Sequence, residues 1–165
     1  HHLLDISYQS LIWQLALIPI FLALTGLTKP AQRLLFALTL TSWLAGIIYF
    51  FFPSLGPESI IHSKFSSKGF INMVTNIKDI HNNLMPSKHS NYGIVAFPSC
   101  HVAFAVLCTL ALRPIKFLFV MAIIWNTLLI LSTMALGYHY LADVIGGAAI
   151  ALACYKLSTA SFMRG

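Results

Sequence analysis

Leu34-Leu35-Phe36-Ala37-Leu38-Thr39-Leu40-Thr41-Ser42-Trp43-Leu44-Ala45-Gly46-Ile47-Ile48-Tyr49-Phe50-Phe51-Phe52 runs for nineteen residues without a charge. A helix needs roughly 20 predominantly apolar residues to cross a bilayer core, with about 17–25 tolerated. This stretch therefore reads as a membrane span. Four further apolar segments flank it: Tyr8–Leu27, Phe97–Leu112, Ile115–Leu136 and Tyr140–Leu157. The segment from Phe97 is the shortest, and its start is expected to sit below the membrane surface. Pro19 predicts a kink in the first segment, which neighbouring helices can accommodate. Gly146-Gly147-Ala148-Ala149 forms a small-residue face suited to close helix packing. The fold class read from this pattern is all-α: a polytopic transmembrane helix bundle with five visible spans.

Composition points the same way. The 165 residues are 58% hydrophobic and only 8% charged, with a mean hydropathy of +0.82. Soluble domains carry about 25% charged residues, so a water-soluble monomer is excluded. A disordered chain, which needs low hydrophobicity, is excluded too. Ten Lys and Arg outweigh four Asp and Glu to give a net charge of +6. They lie scattered between apolar runs rather than in a stripe, so they are a topology signal and not a nucleic-acid footprint. Cys108 and Cys154 lie deep in apolar runs and read as small hydrophobes. The three cysteines make neither a metal pattern nor a disulfide framework.

The chain reads as a single transmembrane domain over residues 1–165, with one long polar loop at about 53–96. That loop carries Lys64, Lys68, Lys78 and Lys88. If every segment spans, Lys29, Arg33, Arg113, Lys116, Lys156 and Arg164 share one face, which the positive-inside rule assigns to the cytoplasm. The long loop and the turn around Gly137-Tyr138-His139 then face the other side. The first segment would run inward from outside, which predicts at least one further span upstream, six or more in all.

The outer face collects the ionisable chemistry, and ionisable groups at membrane depth are functional candidates by default. One segment opens with Phe97-Pro98-Ser99-Cys100-His101. Pro98 suits a first helical turn, leaving the N–H groups of Ser99, Cys100 and His101 as unpaired donors at a dipole end that favours anions. Its ordinary reading is a capped helix start with a histidine at the water interface. The other end places His139 and Asp143 four apart, on one helix face. A carboxylate that holds one imidazole nitrogen leaves the other nucleophilic. Its ordinary reading is an acid favoured by the helix dipole. Zinc held by His101, His139 and Asp143 is a competing arrangement, but no His-Glu-x-x-His run is present and zinc leaves Pro98-Ser99 unexplained. A Ser99-His-Asp hydrolase lacks the strand–turn–helix elbow.

Pro98-Ser99-Cys100-His101, followed after a span by Ser132, His139 and Asp143, resembles the type 2 phosphatidic acid phosphatase superfamily. The match is close over Phe97–Leu157 and extends loosely to Phe52-Pro53-Ser54-Leu55-Gly56-Pro57. It departs from the pattern twice. An upstream Lys-x6-Arg-Pro motif is absent, and Thr133 stands where an arginine usually follows the serine. This reduced form is similar to the branch of inositol phosphorylceramide and sphingomyelin synthases. The resemblance implies an integral membrane phosphotransferase acting on a lipid phosphate or phospholipid head group at the extracytoplasmic face. By the same resemblance His139 is the nucleophile that becomes a phosphohistidine, Asp143 orients it, and His101 is the acid and then the base. Ser99, Ser132 and the amides at the head of the segment, Cys100 among them, hold the phosphoryl oxygens, and Lys88 or another loop lysine supplies the missing cation. No metal or other cofactor is implied. Plain lipid-phosphate hydrolysis is the alternative within the class, and a non-catalytic transporter or scaffold the alternative outside it.

Overall fold

The structure is a computed structural model that describes residues 2–52, 54, 56–57 and 96–163. Lys64, Lys68, Lys78, Lys88 and Arg164 lie outside the described residues. Five α-helices are present among the described residues: α1 His2–Leu24, α2 Thr28–Phe51, α3 Cys100–Ala111, α4 Lys116–Ala135 and α5 Leu141–Met163. There is no strand among the described residues. α1, α2, α4 and α5 are each long and apolar enough to cross a membrane. α3 has 12 residues, which is about 18 Å of helix and well short of a core about 30 Å thick. The expected third span is thus a short, buried helix.

The bundle is apolar on its outside. Trp13, Trp43, Phe50 and Phe117 are 68%, 70%, 79% and 71% exposed. Patches of this kind are costly in water and ordinary against lipid tails. The interior is built from small side chains around α3, the central element, which packs against all four other helices. Its Val102, Ala103, Ala105, Leu107, Cys108 and Ala111 are buried, and the alanines let neighbouring backbones come close. Cys108 and Cys154 are free thiols in this core, in the role of small hydrophobes. α1 continues through Pro19.

A polar clasp ties three helices together at mid-depth. Gln14 of α1 donates to the Asn126 side-chain oxygen at 2.9 Å. Asn126 of α4 donates in turn to Thr109 Oγ1 at 2.8 Å and to the Ala105 carbonyl at 3.1 Å, both on α3. Such bonds inside a membrane average about 0.6 kcal/mol each, enough to fix the rotation of α1 against α3 and α4.

The connections are tight. α1 ends with Gly26 at φ +80°, where Leu27 N–H bonds back to the Leu22 carbonyl at 2.8 Å. α4 ends the same way at Gly137, φ +81°. Lys29, Arg33, Arg113, Lys116 and Lys156 stand at one end of the bundle. The starts of α1, α3 and α5 and the end of α4 stand at the other.

Candidate active site

The site begins with the turn between α4 and α5. Tyr138 N–H donates to the Thr133 carbonyl at 3.0 Å and Gly137 N–H to the Met134 carbonyl at 3.0 Å. This is the Schellman closure, which needs a left-handed residue and finds it in Gly137. The next N–H, from His139, reaches the same Thr133 carbonyl at 3.2 Å, so the histidine backbone is fixed by the cap before it. α5 then starts with Asp143 in its first turn. The Asp143 carboxylate accepts the Tyr140 N–H at 2.7 Å, the acid half of a capping box.

Residues 96–99 lie as a strap across the start of α5. Gly146 and Gly147 follow Asp143 by three and four residues, on the same face. A Cβ on Gly147 would collide with the Ser99 carbonyl oxygen, and one on Gly146 would strike the Phe97 ring. The small-residue face expected to pack against another helix instead admits this strap. The close approach lets Ser99 N–H donate to the Asp143 carbonyl at 3.1 Å. Phe97 N–H donates to Ser54 Oγ at 2.8 Å, which brings the end of α2 to the same place.

Ser99, in extended backbone, is the N-cap of α3, and its hydroxyl accepts the Val102 N–H at 3.3 Å. Pro98 therefore precedes the cap rather than occupying the first helical turn. Of the three expected free donors, the Ser99 N–H is already engaged. The N–H groups of Cys100 and His101 remain without an acceptor among the described residues, at the positive end of the helix dipole.

His139 Nδ1 lies 3.0 Å from the Ala96 carbonyl and 3.6 Å from Asp143 Oδ2. The first is a hydrogen bond and the second is too long to be one. Asp143 is therefore beside the imidazole as an ion-pair contact, and the shorter contact is with the strap carbonyl. The same carboxylate oxygen accepts the Tyr140 amide, and the strap carbonyl holds Nδ1. A carbonyl only accepts, so Nδ1 carries the proton and the neutral ring keeps its lone pair on Nε2. The Asp143 charge still stands beside the ring. His139 and Asp143 are 6% and 4% exposed.

His101 completes the group. Its ring centroid is 6.4 Å from that of His139, tilted by 50°. The His101 ring is stacked on Tyr8 of α1, at 4.2 Å and 13°, and Tyr8 is stacked on Tyr138 at 4.6 Å and 25°.

The structure thus brings His101, His139, Asp143, Ser99 and Cys100 together at one end of the bundle. Ser132 lies in the last turn of α4, fully buried, with its hydroxyl donating to the Leu129 carbonyl at 2.6 Å. Thr133, in the place of the usual arginine, turns its hydroxyl to the Ile130 carbonyl at 2.7 Å. Lys88 lies outside the described residues. No group of three or more His, Cys, Asp or Glu able to hold a metal ion occurs among the described residues. Every described Lys and Arg is at the opposite end, so the positive potential at the described site comes from backbone amides and the α3 dipole. Ser54, Ala96 and Tyr8 carry no sequence signal that marks them as parts of this site. Only the loose likeness around Pro53-Ser54 pointed to the first.

A family model described as the PAP2 superfamily matches residues 1–157. No curated relative and no solved structure matches the chain.

Proposed function

Because the chain belongs to the PAP2 superfamily, whose membership supports a phosphatase- or phosphotransferase-type reaction on a lipid phosphate, we propose that it works through a phosphohistidine formed on His139. The observation that carries this reading is the Ala96 carbonyl 3.0 Å from His139 Nδ1, which leaves Nε2 with a lone pair for attack on phosphorus. A second histidine close by supports this reading. In-line transfer sets the attacking nitrogen and the acid on opposite sides of the phosphorus. The ring centroids are 6.4 Å apart.

In the first step the His139 Nε2–P bond forms as the bond from phosphorus to the lipid oxygen breaks, and His101 gives that oxygen its proton. In the second step an acceptor hydroxyl attacks phosphorus and the N–P bond breaks. The acceptor's proton returns to His101. Asp143 at 3.6 Å stabilises the positive imidazole ring of the intermediate. The amides of Cys100 and His101 receive the phosphoryl oxygens, where preorganised donors act without reorganisation. Ser99 stands beside those amides at the head of α3. The acceptor is an alcohol in the synthase-like reading and water in hydrolysis, and the phosphoenzyme is common to both. The gathering of the basic residues at the far end supports an extracytoplasmic site.

The test uses a panel of radiolabelled lipid phosphates and phospholipid head-group donors in detergent micelles, with and without alcohol acceptors. Wild-type protein should accumulate acid-labile, base-stable label that His139→Ala abolishes, with turnover falling to background. Label trapped on His139→Ala but not on His101→Ala means the two roles are exchanged. Full turnover by both variants removes the mechanism. Product formed only with an alcohol present assigns transfer.

A further inference from the structure

We propose that Tyr8 is a positioning residue for His101, its ring fixing the plane from which the imidazole delivers its proton; this inference rests on the acid role given to His101 above. The two histidines are held in different ways. His139 is pinned by a hydrogen bond from Nδ1 to the Ala96 carbonyl. Neither ring nitrogen of His101 has a hydrogen-bond partner among the described residues. That suits a group that must exchange a proton with substrate at each step, but it leaves the ring free to turn, because the terminal torsion of histidine is broad. The Tyr8 ring removes that freedom, lying nearly parallel to the imidazole at 4.2 Å and 13°.

Tyr8 is itself fixed. Tyr138 stacks on its opposite face at 4.6 Å, and Tyr138 is the residue whose N–H closes the α4 cap on the Thr133 carbonyl. Its carbonyl oxygen lies against Gly56, where a Cβ would collide with it. On α1, the neighbouring Ser7 is fully buried, and Gln14 anchors the helix to Asn126. The column Tyr138–Tyr8–His101 therefore runs from the residue just before His139 to the ring of His101. Tyr8 is the spacer that sets one imidazole against the turn carrying the other.

Misplacement of a catalytic group by about 1 Å costs on the order of 10²-fold, and an acid matters most when the leaving group is poor. Turnover of Tyr8→Leu, Tyr8→Phe and His101→Ala is measured on a short-chain phosphatidic acid, a poor leaving group, and on p-nitrophenyl phosphate, a good one. Tyr8→Leu should lose about 10–100-fold on the first and less than about 3-fold on the second. The retained nitrophenyl turnover doubles as its folding control. Tyr8→Phe, which keeps the ring, should stay within about 3-fold of wild type on both substrates. An equal loss on both substrates in Tyr8→Leu means general packing and overturns the proposal, as does no loss on either. A Tyr8→Phe defect as deep as that of Tyr8→Leu moves the effect to the hydroxyl and overturns it as well. If His101→Ala shows no dependence on the leaving group, the acid role falls, and the inference falls with it.

Discussion

Replacing Gly147 with alanine should disable the site without touching any side chain in it. The added Cβ would overlap the Ser99 carbonyl oxygen and lie 3.2 Å from its carbon, so the strap must lift by on the order of 1 Å to restore ordinary contact. The strap makes two hydrogen bonds that do not tolerate such a shift: Ser99 N–H to the Asp143 carbonyl at 3.1 Å and the Ala96 carbonyl to His139 Nδ1 at 3.0 Å. Overpacking of this kind costs about 1–3 kcal/mol, and each bond lost adds about 0.5–1.5 kcal/mol. The better helix propensity of alanine returns about 0.8–1.0 kcal/mol. The net expectation is a loss of roughly 1–5 kcal/mol in stability, with turnover down about 10²-fold as the His139 ring is released. Gly46→Ala is the control. Nothing lies within 4 Å of its Cβ position, so it should keep full turnover and gain up to about 1 kcal/mol. The assay pairs thermal unfolding in detergent with turnover of a phosphomonoester lipid. If Gly147→Ala matches Gly46→Ala in both measurements, the strap does not position His139 and the account of the site is wrong.

Three other outcomes are expected. Asp143→Ala removes the acceptor for the Tyr140 N–H and should cost about 0.5–2 kcal/mol on thermal unfolding, whereas Asp143→Asn should keep most of that stability and still lower turnover, since the charge beside His139 is gone. Asn126→Leu cuts the bonds that link α1, α3 and α4 and should destabilise the protein by about 1–2 kcal/mol in detergent unfolding, with wild-type stability counting against the clasp. Cysteines replacing Lys29 or Arg113 should resist an impermeant thiol reagent added outside, while one replacing Lys68 reacts; the reverse labelling places the site in the cytoplasm.

The bundle was legible because lipid imposes a simple rule on the chain: the apolar runs of α1, α2, α4 and α5 had to be long, and they are. The length of α3 was less so. A helix surrounded on all sides by protein is freed from matching the bilayer thickness, and the run Phe97–Leu112 does not reveal that its first three residues lie outside the helix. Within the site, His139 and Asp143 do meet, 3.6 Å apart, but not on one helix face: α5 begins only at Leu141, and His139 is brought there by the turn before it. The spacing gave no sign that the carboxylate would also cap α5 through the Tyr140 amide. Contacts between distant segments were the least legible. Ala96 meets His139, and Tyr8 meets His101, through the path of the backbone, and neither residue type advertises that role. Gly146 and Gly147 were visible as a place of close approach, but not which segment would approach.

The tautomer of His139 is set by a backbone oxygen, and this has a consequence for mutational surveys. Any residue at position 96 carries the same carbonyl, so substituting Ala96 does not delete the interaction, and a residue-by-residue scan would record the position as tolerant. The determinant is encoded in the path of the strap rather than in a letter of the sequence. It becomes visible only through residues that shape that path, Gly147 and Ser54 among them, whose loss would look unrelated to proton placement.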